Sequence, residues 1–265
     1  MTATELAKQN AKIIMGCRNI ETGKTAQEEI RSQSGNENVV LKNLDLSSLE
    51  SVRKFAEEVR KEEEKIDLLI NNAGVMGIEF GTTVDGYEKQ FAINHLGHFL
   101  LTNLLLDLIK KAESGRIISV ASRVASFGKT NFEDVNYERS SYGAFESYSR
   151  SKLANVLFAN ELSRRLEGTK VTAYSLHPGV VKTELYRNQG SVTKFLLAPA
   201  RLFMKTPKQG AATTLYCALT DGIEKHSGKY FSGSKLTSFP SKGSDEEIAG
   251  KLWDLSEKLV GLKEE

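Results

Sequence analysis

The 265-residue sequence has few of the features that mark secreted, metal-binding or membrane-spanning proteins. Its two cysteines, Cys17 and Cys217, lie in apolar segments without CxxC spacing, which argues against a disulfide framework and a thiolate metal site. No uninterrupted run of 18 apolar residues occurs, so we expect no membrane-spanning helix. The first residues also lack the basic start and apolar middle of a signal peptide, so a cytoplasmic location is expected for the sequence as it stands.

The charge is nearly balanced, with 36 basic and 34 acidic residues and a formal net charge of +2. The charges are interspersed, and no basic face with interleaved aromatic residues is present, so nucleic-acid binding is not expected. The four histidines show no spacing, supported by carboxylates or thiols, that would predict a metal site. These histidines are His95, His98, His177 and His226.

Short apolar runs typical of strands alternate with longer helical patterns along the whole chain. This alternation predicts an α/β fold, a Rossmann-like doubly wound parallel sheet with helices on both faces. No repeat or low-complexity segment interrupts it, so residues 1–265 are expected to form one domain. The predicted helices include 86–111, 148–166 and one that begins with Ser47 as its N-cap and Glu50 completing a capping box.

Tyr148 and Lys152 stand four residues apart in a helical run. Side chains at positions i and i+4 lie on the same helix face, so the phenol and the ammonium can converge. A nearby positive charge favours the phenolate and makes a tyrosine more useful for proton transfer near neutral pH. The spacing alone is common, and a tyrosine at the edge of the core beside a solvated lysine would explain it equally well.

Polar or small residues follow several of the predicted strands. They are the segment 71–74 (Asn-Asn-Ala-Gly), Ser122 and the segment 177–179 (His-Pro-Gly), while Asn94 lies inside a predicted helix, where asparagine is mildly unfavourable. Each has an ordinary interpretation as a turn, a cap or the end of a strand. Because ligands of open α/β sheets bind beyond the carboxyl ends of the strands, their joint occurrence with the Tyr–Lys pair indicates a ligand site.

Together these motifs resemble those of the short-chain dehydrogenase/reductase family over nearly the whole chain. Within that family the sequence is most similar to the retinol dehydrogenase group. The segments that carry this closer resemblance are Cys17-Arg-Asn19, Phe91-Ala-Ile-Asn-His-Leu-Gly-His-Phe99 and Ser151-Lys-Leu-Ala-Asn155.

The resemblance implies a catalytic role for four residues. Tyr148 would be the general acid or base, and Lys152 would support its ionisation and hold the hydroxyls of the nicotinamide ribose. Ser122 would bind the substrate oxygen. Asn94 would hold a water that links Lys152 to solvent.

The resemblance also implies a cofactor site. Asp45 and Leu46 would flank the adenine, and small residues after the third strand would let a flat ring approach the backbone. Arg18 favours NADP(H), because an arginine at this place accommodates a 2′-phosphate, whereas NAD-specific domains place an acid nearby. The remaining implied cofactor residues are Asn71, Ala73, Gly74, Tyr148, Lys152, Pro178, Gly179, Val181 and Thr183.

The glycine-rich turn that opens a dinucleotide-binding sheet is not present in the sequence. In this family the turn reads roughly TGxxxGxG, and residues 1–9 resemble the end of the helix that follows it. We expect that the first strand and this turn, about 20 residues, precede residue 1 in a longer form. In the alternative, the N-terminal helix and the flanking strands close the gap in another way.

The predicted activity is NADP(H)-dependent interconversion of an apolar alcohol, retinoid or lipid-like, and its aldehyde or ketone. The alternative is an inactive truncated isoform that acts only as a binding or dead-end product. Residues 194–204 are strongly apolar and predict either a helix packed on the core or a mobile lid that lines an apolar substrate pocket and could also contact a membrane surface. Association with the endoplasmic reticulum is expected if a longer form carries an anchor, and the oligomeric state is left open.

Overall fold

The strands form two parallel sheets that are separate from each other. The computed structural model describes residues 1–181 and 204–263. One sheet pairs β1 (Ile13–Cys17) with β2 (Val39–Asn43). The other has the order β3-β4-β5-β6, formed by Leu68–Asn71, Gly115–Val120, Val171–His177 and Tyr230–Ser232.

The two sheets end at β1 and β3, which are not hydrogen-bonded to each other. These are the strands that would flank the expected first strand. Within the described residues they do not pair with each other, and both expectations for this gap remain predictions.

Helices cover the sheets and connect the strands. The α-helices are α1 (Thr2–Ala7), α2 (Ile20–Ser34), α3 (Leu49–Glu62), α4 (Lys89–Phe91), α5 (Gly97–Lys110), α6 (Ala144–Arg165), α7 (Pro207–Leu219) and α8 (Glu246–Leu259). A π-helical segment, Ala92–Leu96, joins α4 to α5, and short 3₁₀ helices span Arg123–Phe127, Glu224–His226 and Ser241–Ser244.

The core lies on both faces of the four-stranded sheet, which confirms the doubly wound α/β class. On one face Ile117 and Ala173 pack among apolar side chains of α3, α5, α6 and α8. On the other face Ile118, Tyr174 and Leu176 pack against α7. The two sheets are joined through their helices, because α1 contacts α2 and β1 on one side and α7 on the other, and α3 contacts α5.

Three predicted helix boundaries are wrong. The third helix is capped by Ser48 instead of Ser47, because the Asp45 carboxylate accepts hydrogen bonds from both the amide and the hydroxyl of Ser47. The helix that carries the Tyr–Lys pair begins at Ala144, four residues before the predicted start, with no side-chain cap to signal it. The long helix predicted over 86–111 is interrupted by the π-helical turn around Asn94.

That long segment also qualifies the expectation of no membrane-spanning helix. Lys89–Lys110 is long and apolar enough, by length and composition, to cross a membrane. In this fold 72% of its most apolar window is buried inside the protein, as in the core helix of a globular domain.

Candidate active site

Helix α6 places Tyr148 and Lys152 one turn apart on a buried face. Their exposed fractions are 4% and 3%, and Lys152 Nζ lies 5.8 Å from the centroid of the Tyr148 ring. Burial lowers the pKa of Lys152 to about 8, so the side chain still carries its proton at neutral pH. The site therefore holds a cation beside a phenol within the protein interior.

The Lys152 ammonium is fixed by the carboxyl end of β4. Its Nζ donates a hydrogen bond to the Val120 carbonyl at 3.0 Å. The same oxygen accepts a second hydrogen bond from Asn155 Nδ2 at 3.3 Å. Asn155 lies three residues after Lys152, on the same face of α6, and the sequence motif that contains it gave no reason to assign it this contact.

Gly74 brings the end of β3 against the same ammonium. A Cβ atom at this position would lie 2.9 Å from Asn94 Oδ1 and 3.2 Å from Lys152 Nζ. Only a residue without a side chain allows this close approach. Three sequence-predicted residues, Gly74, Asn94 and Lys152, are thus brought together.

The Asn94 side chain ties this loop to α6. Its Oδ1 accepts from the Val75 amide at 2.8 Å, and its Nδ2 donates to the Val75 carbonyl at 3.0 Å and to Ser151 Oγ at 2.9 Å. Both amide hydrogens of Asn94 are therefore used by protein partners. The water-holding role implied for Asn94 remains a prediction.

The π-helical turn around Asn94 places a second polar group near Lys152. His98 Nδ1 lies 3.1 Å from the Asn94 carbonyl, and because a carbonyl can only accept, Nδ1 carries the proton. Burial, and then the Lys152 charge, lower the pKa of His98 to about 3, so the ring is neutral. π-helical turns are frequent at functional sites, and the unfavourable asparagine inside a helical pattern was the signal that could have located this one.

Ser122 and Asn71 stand at neighbouring strand ends. Ser122 follows β4 and caps the 3₁₀ helix Arg123–Phe127, with its Oγ accepting a long hydrogen bond of 3.4 Å from Val124. Asn71 is buried at the end of β3 and donates to Thr102 Oγ1 at 2.9 Å. Because β3 and β4 are parallel neighbours, Ser122 lies at the same edge as the segment 71–74.

The segment after β5 forms the third side of this edge. Gly179 has a φ of 98°, and a Cβ there would lie 2.7 Å from the Lys205 side chain. Lys205 also donates its amide to the Val180 carbonyl and pairs with Val181. Gly179 and Val181 of the predicted nicotinamide clamp are thus folded against Lys205. Pro178 precedes them, and Thr183 lies outside the described residues.

His177, just before this clamp, is buried without a partner for Nδ1 among the described residues. Burial, followed by the charges of Arg123 and Lys205, lowers the pKa of His177 to about 4. The imidazole is therefore neutral and adds no charge to the crevice.

The residues predicted at the adenine end follow the strands of the two-stranded sheet. Arg18 follows β1 and is exposed, and its guanidinium forms no ion pair within residues 1–181 and 204–263. The Asp45 carboxylate is held by its own turn, whereas Leu46 is buried where Gly97 approaches its carbonyl. Arg18 is thus exposed, whereas Leu46 belongs to the buried core.

A buried polar network that the sequence did not predict holds the start of α6. The Glu88 carboxylate is fully buried and accepts from the amides of Gln90 and Phe91 and from Ser147 Oγ. Gln90 Nε2 in turn donates to Tyr142 and to the Ala144 carbonyl. These bonds fix the backbone one turn before Tyr148, and no local sequence pattern announces them.

Among the described residues, no group of three or more His, Cys, Asp and Glu side chains could hold a metal ion. A parallel sheet with polar residues collected at its carboxyl edge is the arrangement of a ligand-binding α/β domain. Comparisons with known proteins identify the family to which this domain belongs.

Residues 1–193 match the family described as short chain dehydrogenase. The chain is 46% identical over 277 residues to mouse retinol dehydrogenase 14, covering 98% of this chain and 82% of that protein. It is 45% identical over 267 residues to human retinol dehydrogenase 13, covering 99% and 81%. The chain belongs to the short-chain dehydrogenase family and is an oxidoreductase similar to the retinol dehydrogenases.

Solved structures agree with this assignment. A crystal structure of an uncharacterised protein from Mycobacterium paratuberculosis aligns with a TM-score of 0.80 at 34% identity, covering 98% of this chain and 88% of that one. The RhlG/NADP active-site complex from Pseudomonas aeruginosa aligns with a TM-score of 0.68 at 21% identity, covering 87% and 88%, which shows the shared fold.

Proposed function

We propose that this chain is an NADP(H)-dependent oxidoreductase that interconverts an apolar alcohol, retinoid or lipid-like, and its aldehyde or ketone. The observation that carries the proposal is the convergence of Tyr148, Lys152 and Asn94, with Gly74 packed closely against Asn94 and Lys152. We further propose that residues 1–265 act as a single domain.

The residues at this edge fit a nicotinamide cofactor. The backbone at Gly74 approaches Asn94 and the Lys152 ammonium more closely than a residue with a side chain could, and this ammonium is suited to ribose hydroxyls. The cofactor, when bound, supplies or accepts the hydride. Pro178, Gly179 and Val181 would hold its carboxamide, and Asn71 and Ala73 would lie beside the ring.

The preference for NADP(H) is supported by Arg18. An exposed guanidinium without an ion pair among the described residues is available for a 2′-phosphate, for which its fork of donors is well matched. RhlG, which shares this fold, was crystallised with NADP. Asp45 and Leu46 would border the adenine.

The acid–base chemistry falls to Tyr148 and its neighbours. In reduction the Tyr148 hydroxyl donates a proton to the carbonyl oxygen, and in oxidation the phenolate takes it back. The Lys152 ammonium stabilises the phenolate because it is charged below a pH of about 8. Ser122 donates a hydrogen bond to the substrate oxygen, and Asn94 holds the water that would return protons to Lys152.

An apolar substrate is supported by the printed names of the most similar relatives, which are retinol dehydrogenases. A peripheral contact with a membrane and the cytoplasmic location remain predictions. The inactive-isoform alternative gains no support from the family match.

The Tyr148→Phe substitution tests the proposed mechanism. Loss of the proton donor is expected to lower aldehyde-dependent NADPH oxidation by the native protein by about 10²–10⁴-fold. Tyr216→Phe is the matched control, because Tyr216 lies on α7 in the apolar cluster of the opposite sheet face. Undiminished turnover by Tyr148→Phe would contradict the assignment.

Cofactor binding separates the active enzyme from the inactive isoform. The same chain is titrated with NADPH while the cofactor fluorescence is followed. Saturable binding at micromolar concentration supports the enzyme, whereas the inactive isoform predicts no saturation.

A further inference from the structure

Two phenylalanines at the edge of the candidate active site are exposed although they contact each other. Phe127 is 69% exposed and Phe145 is 58% exposed, and their ring centroids lie 6.2 Å apart. Large apolar side chains that form a shared surface patch mark binding sites more often than single exposed residues do. We call these two rings the Phe127–Phe145 pair.

Both rings continue outward from the catalytic residues. Phe127 is the last residue of the 3₁₀ helix capped by Ser122. Phe145 lies three residues before Tyr148 in α6, so the two side chains occupy the same side of the helix in successive turns. The pair is thus carried by the same two elements that hold Ser122 and Tyr148.

The backbone beneath the pair is held in place. Gly128 is buried against α6, where a Cβ would lie 2.6 Å from the Ser149 carbonyl and 2.8 Å from Leu153 Cβ. Lys242 Nζ donates to the Gly128 carbonyl at 2.7 Å. The exposure of Phe127 is therefore a property of a packed segment and is not explained by a loosely attached loop.

We propose that the Phe127–Phe145 pair is a substrate subsite that holds the hydrocarbon chain of a long alcohol or aldehyde. This inference rests on the proposed function and adds to it the place where chain length is recognised. Covering exposed aromatic rings with a hydrocarbon chain removes apolar surface from water, and this gain grows with each methylene that reaches the rings. A short substrate would react at Tyr148 without touching the pair.

A chain-length series measures this contribution. Reduction of butanal and decanal with NADPH is compared in the native chain, in Phe127→Ala, in Phe145→Ala and in the double variant. We expect the double variant to lose about tenfold in kcat/KM for decanal, mainly through KM, and less than about twofold for butanal. Leu219→Ala is the control, because Leu219 is also exposed but ends α7 beside Thr220, whose carbonyl accepts from Arg116 at the start of β4.

Binding of decanol measured by titration calorimetry tests the subsite without turnover. About tenfold weaker binding to the double variant than to the native chain supports the subsite, and equal binding overturns it. If the native chain binds decanol at this pair but reduces neither aldehyde, the proposed function fails while the subsite stands.

Two further outcomes would overturn the subsite. An equal loss for butanal and decanal would mean that the rings support the catalytic geometry instead of a hydrocarbon chain. The exposed, basic Lys129 lies two residues after Phe127, so an anionic bilayer is the competing occupant of the Phe127–Phe145 pair. Unchanged chain-length selectivity together with lost co-sedimentation on phosphatidylserine vesicles would assign the pair to membrane contact.

Discussion

The two sheets of this protein differ in how deeply they are buried. The proposed catalytic residues lie beside the more buried sheet, and the proposed phosphate-binding Arg18 lies beside the more exposed one. All six residues of β4 in the four-stranded sheet are buried, whereas none of the five residues of β1 in the two-stranded sheet is. The candidate catalytic Lys152 is 3% exposed, while Arg18, at the end of β1, is exposed.

The proposed acid–base groups are therefore positioned by the protein before any ligand binds. Lys152, Asn94 and Gly74 are fixed by hydrogen bonds and close packing, which is how enzymes reduce the cost of ordering reacting groups. The guanidinium of Arg18, which we propose selects the cofactor, forms no ion pair among the described residues, so a bound ligand would supply its order and would stabilise the region around Arg18 most.

Among the substitutions that test this comparison, one at Gly74 should have the largest effect, because it disturbs the preorganised Asn94 and Lys152. In Gly74→Ala the new Cβ displaces the Asn94 amide or the Lys152 ammonium, and we expect about a hundredfold loss of kcat/KM. The measurement is steady-state aldehyde reduction, with urea unfolding to show that the variant is folded.

Gly250→Ala provides the matched control. Gly250 lies in α8 with open space around it, so a Cβ there meets no neighbour and activity should be unchanged. Full activity of Gly74→Ala would show that the contact with Asn94 and Lys152 is not needed for catalysis.

Acid should lower the free energy of unfolding through His95 and His98, two buried histidines near Asn94. Burial lowers the pKa of His95 to about 4 and that of His98 to about 3, both from an ordinary value of 6.5. Below pH 6.5 the unfolded chain binds protons that the folded chain does not, so the free energy of unfolding falls as the pH drops. Each group should remove about 2 kcal/mol between pH 6.5 and pH 5.

Urea unfolding at pH 7.5 and pH 5 measures this loss. In His95→Gln the difference between the two pH values should shrink by about 2 kcal/mol, whatever the overall stability of the variant. An unchanged difference would mean that His95 is not held neutral in the folded protein.

The smallest effect is expected from substitution of the exposed Arg18. In Arg18→Asp the loss of the guanidinium is expected to raise KM for NADPH about tenfold more than KM for NADH, because only NADPH carries the 2′-phosphate. Parallel kinetics with the two cofactors provide the measurement. Equal changes for both cofactors would remove Arg18 from the phosphate site.

The elements with strong periodicity could be predicted from the sequence, and local competition explains the misplaced boundaries. Ser47 satisfies the pattern of a capping box, but Asp45, two residues earlier, holds its amide and hydroxyl and leaves Ser48 as the cap. The start of α6 has no side-chain cap and is fixed from elsewhere by the Gln90 hydrogen bond to the Ala144 carbonyl.

The candidate site was predictable where a residue type limits the backbone or the chemistry. Gly74, Asn94 and the Tyr–Lys pair belong to this group. Contacts between distant segments could not be predicted, because they follow from tertiary packing and leave no periodic signal in the sequence. Examples are the buried Glu88 carboxylate and Asn155, the second donor to the Val120 carbonyl.

The carbonyl of Val120 accepts two hydrogen bonds, and this has a consequence for movement of the Lys152 side chain. If Lys152 turns its ammonium toward a ribose, it must release an acceptor buried at the end of β4, and an unpaired buried carbonyl costs about 1–3 kcal/mol. Asn155 keeps that oxygen hydrogen-bonded after Lys152 leaves. The lysine can thus exchange partners during each turnover at little reorganisation energy, and the strand end stays in register while it does so.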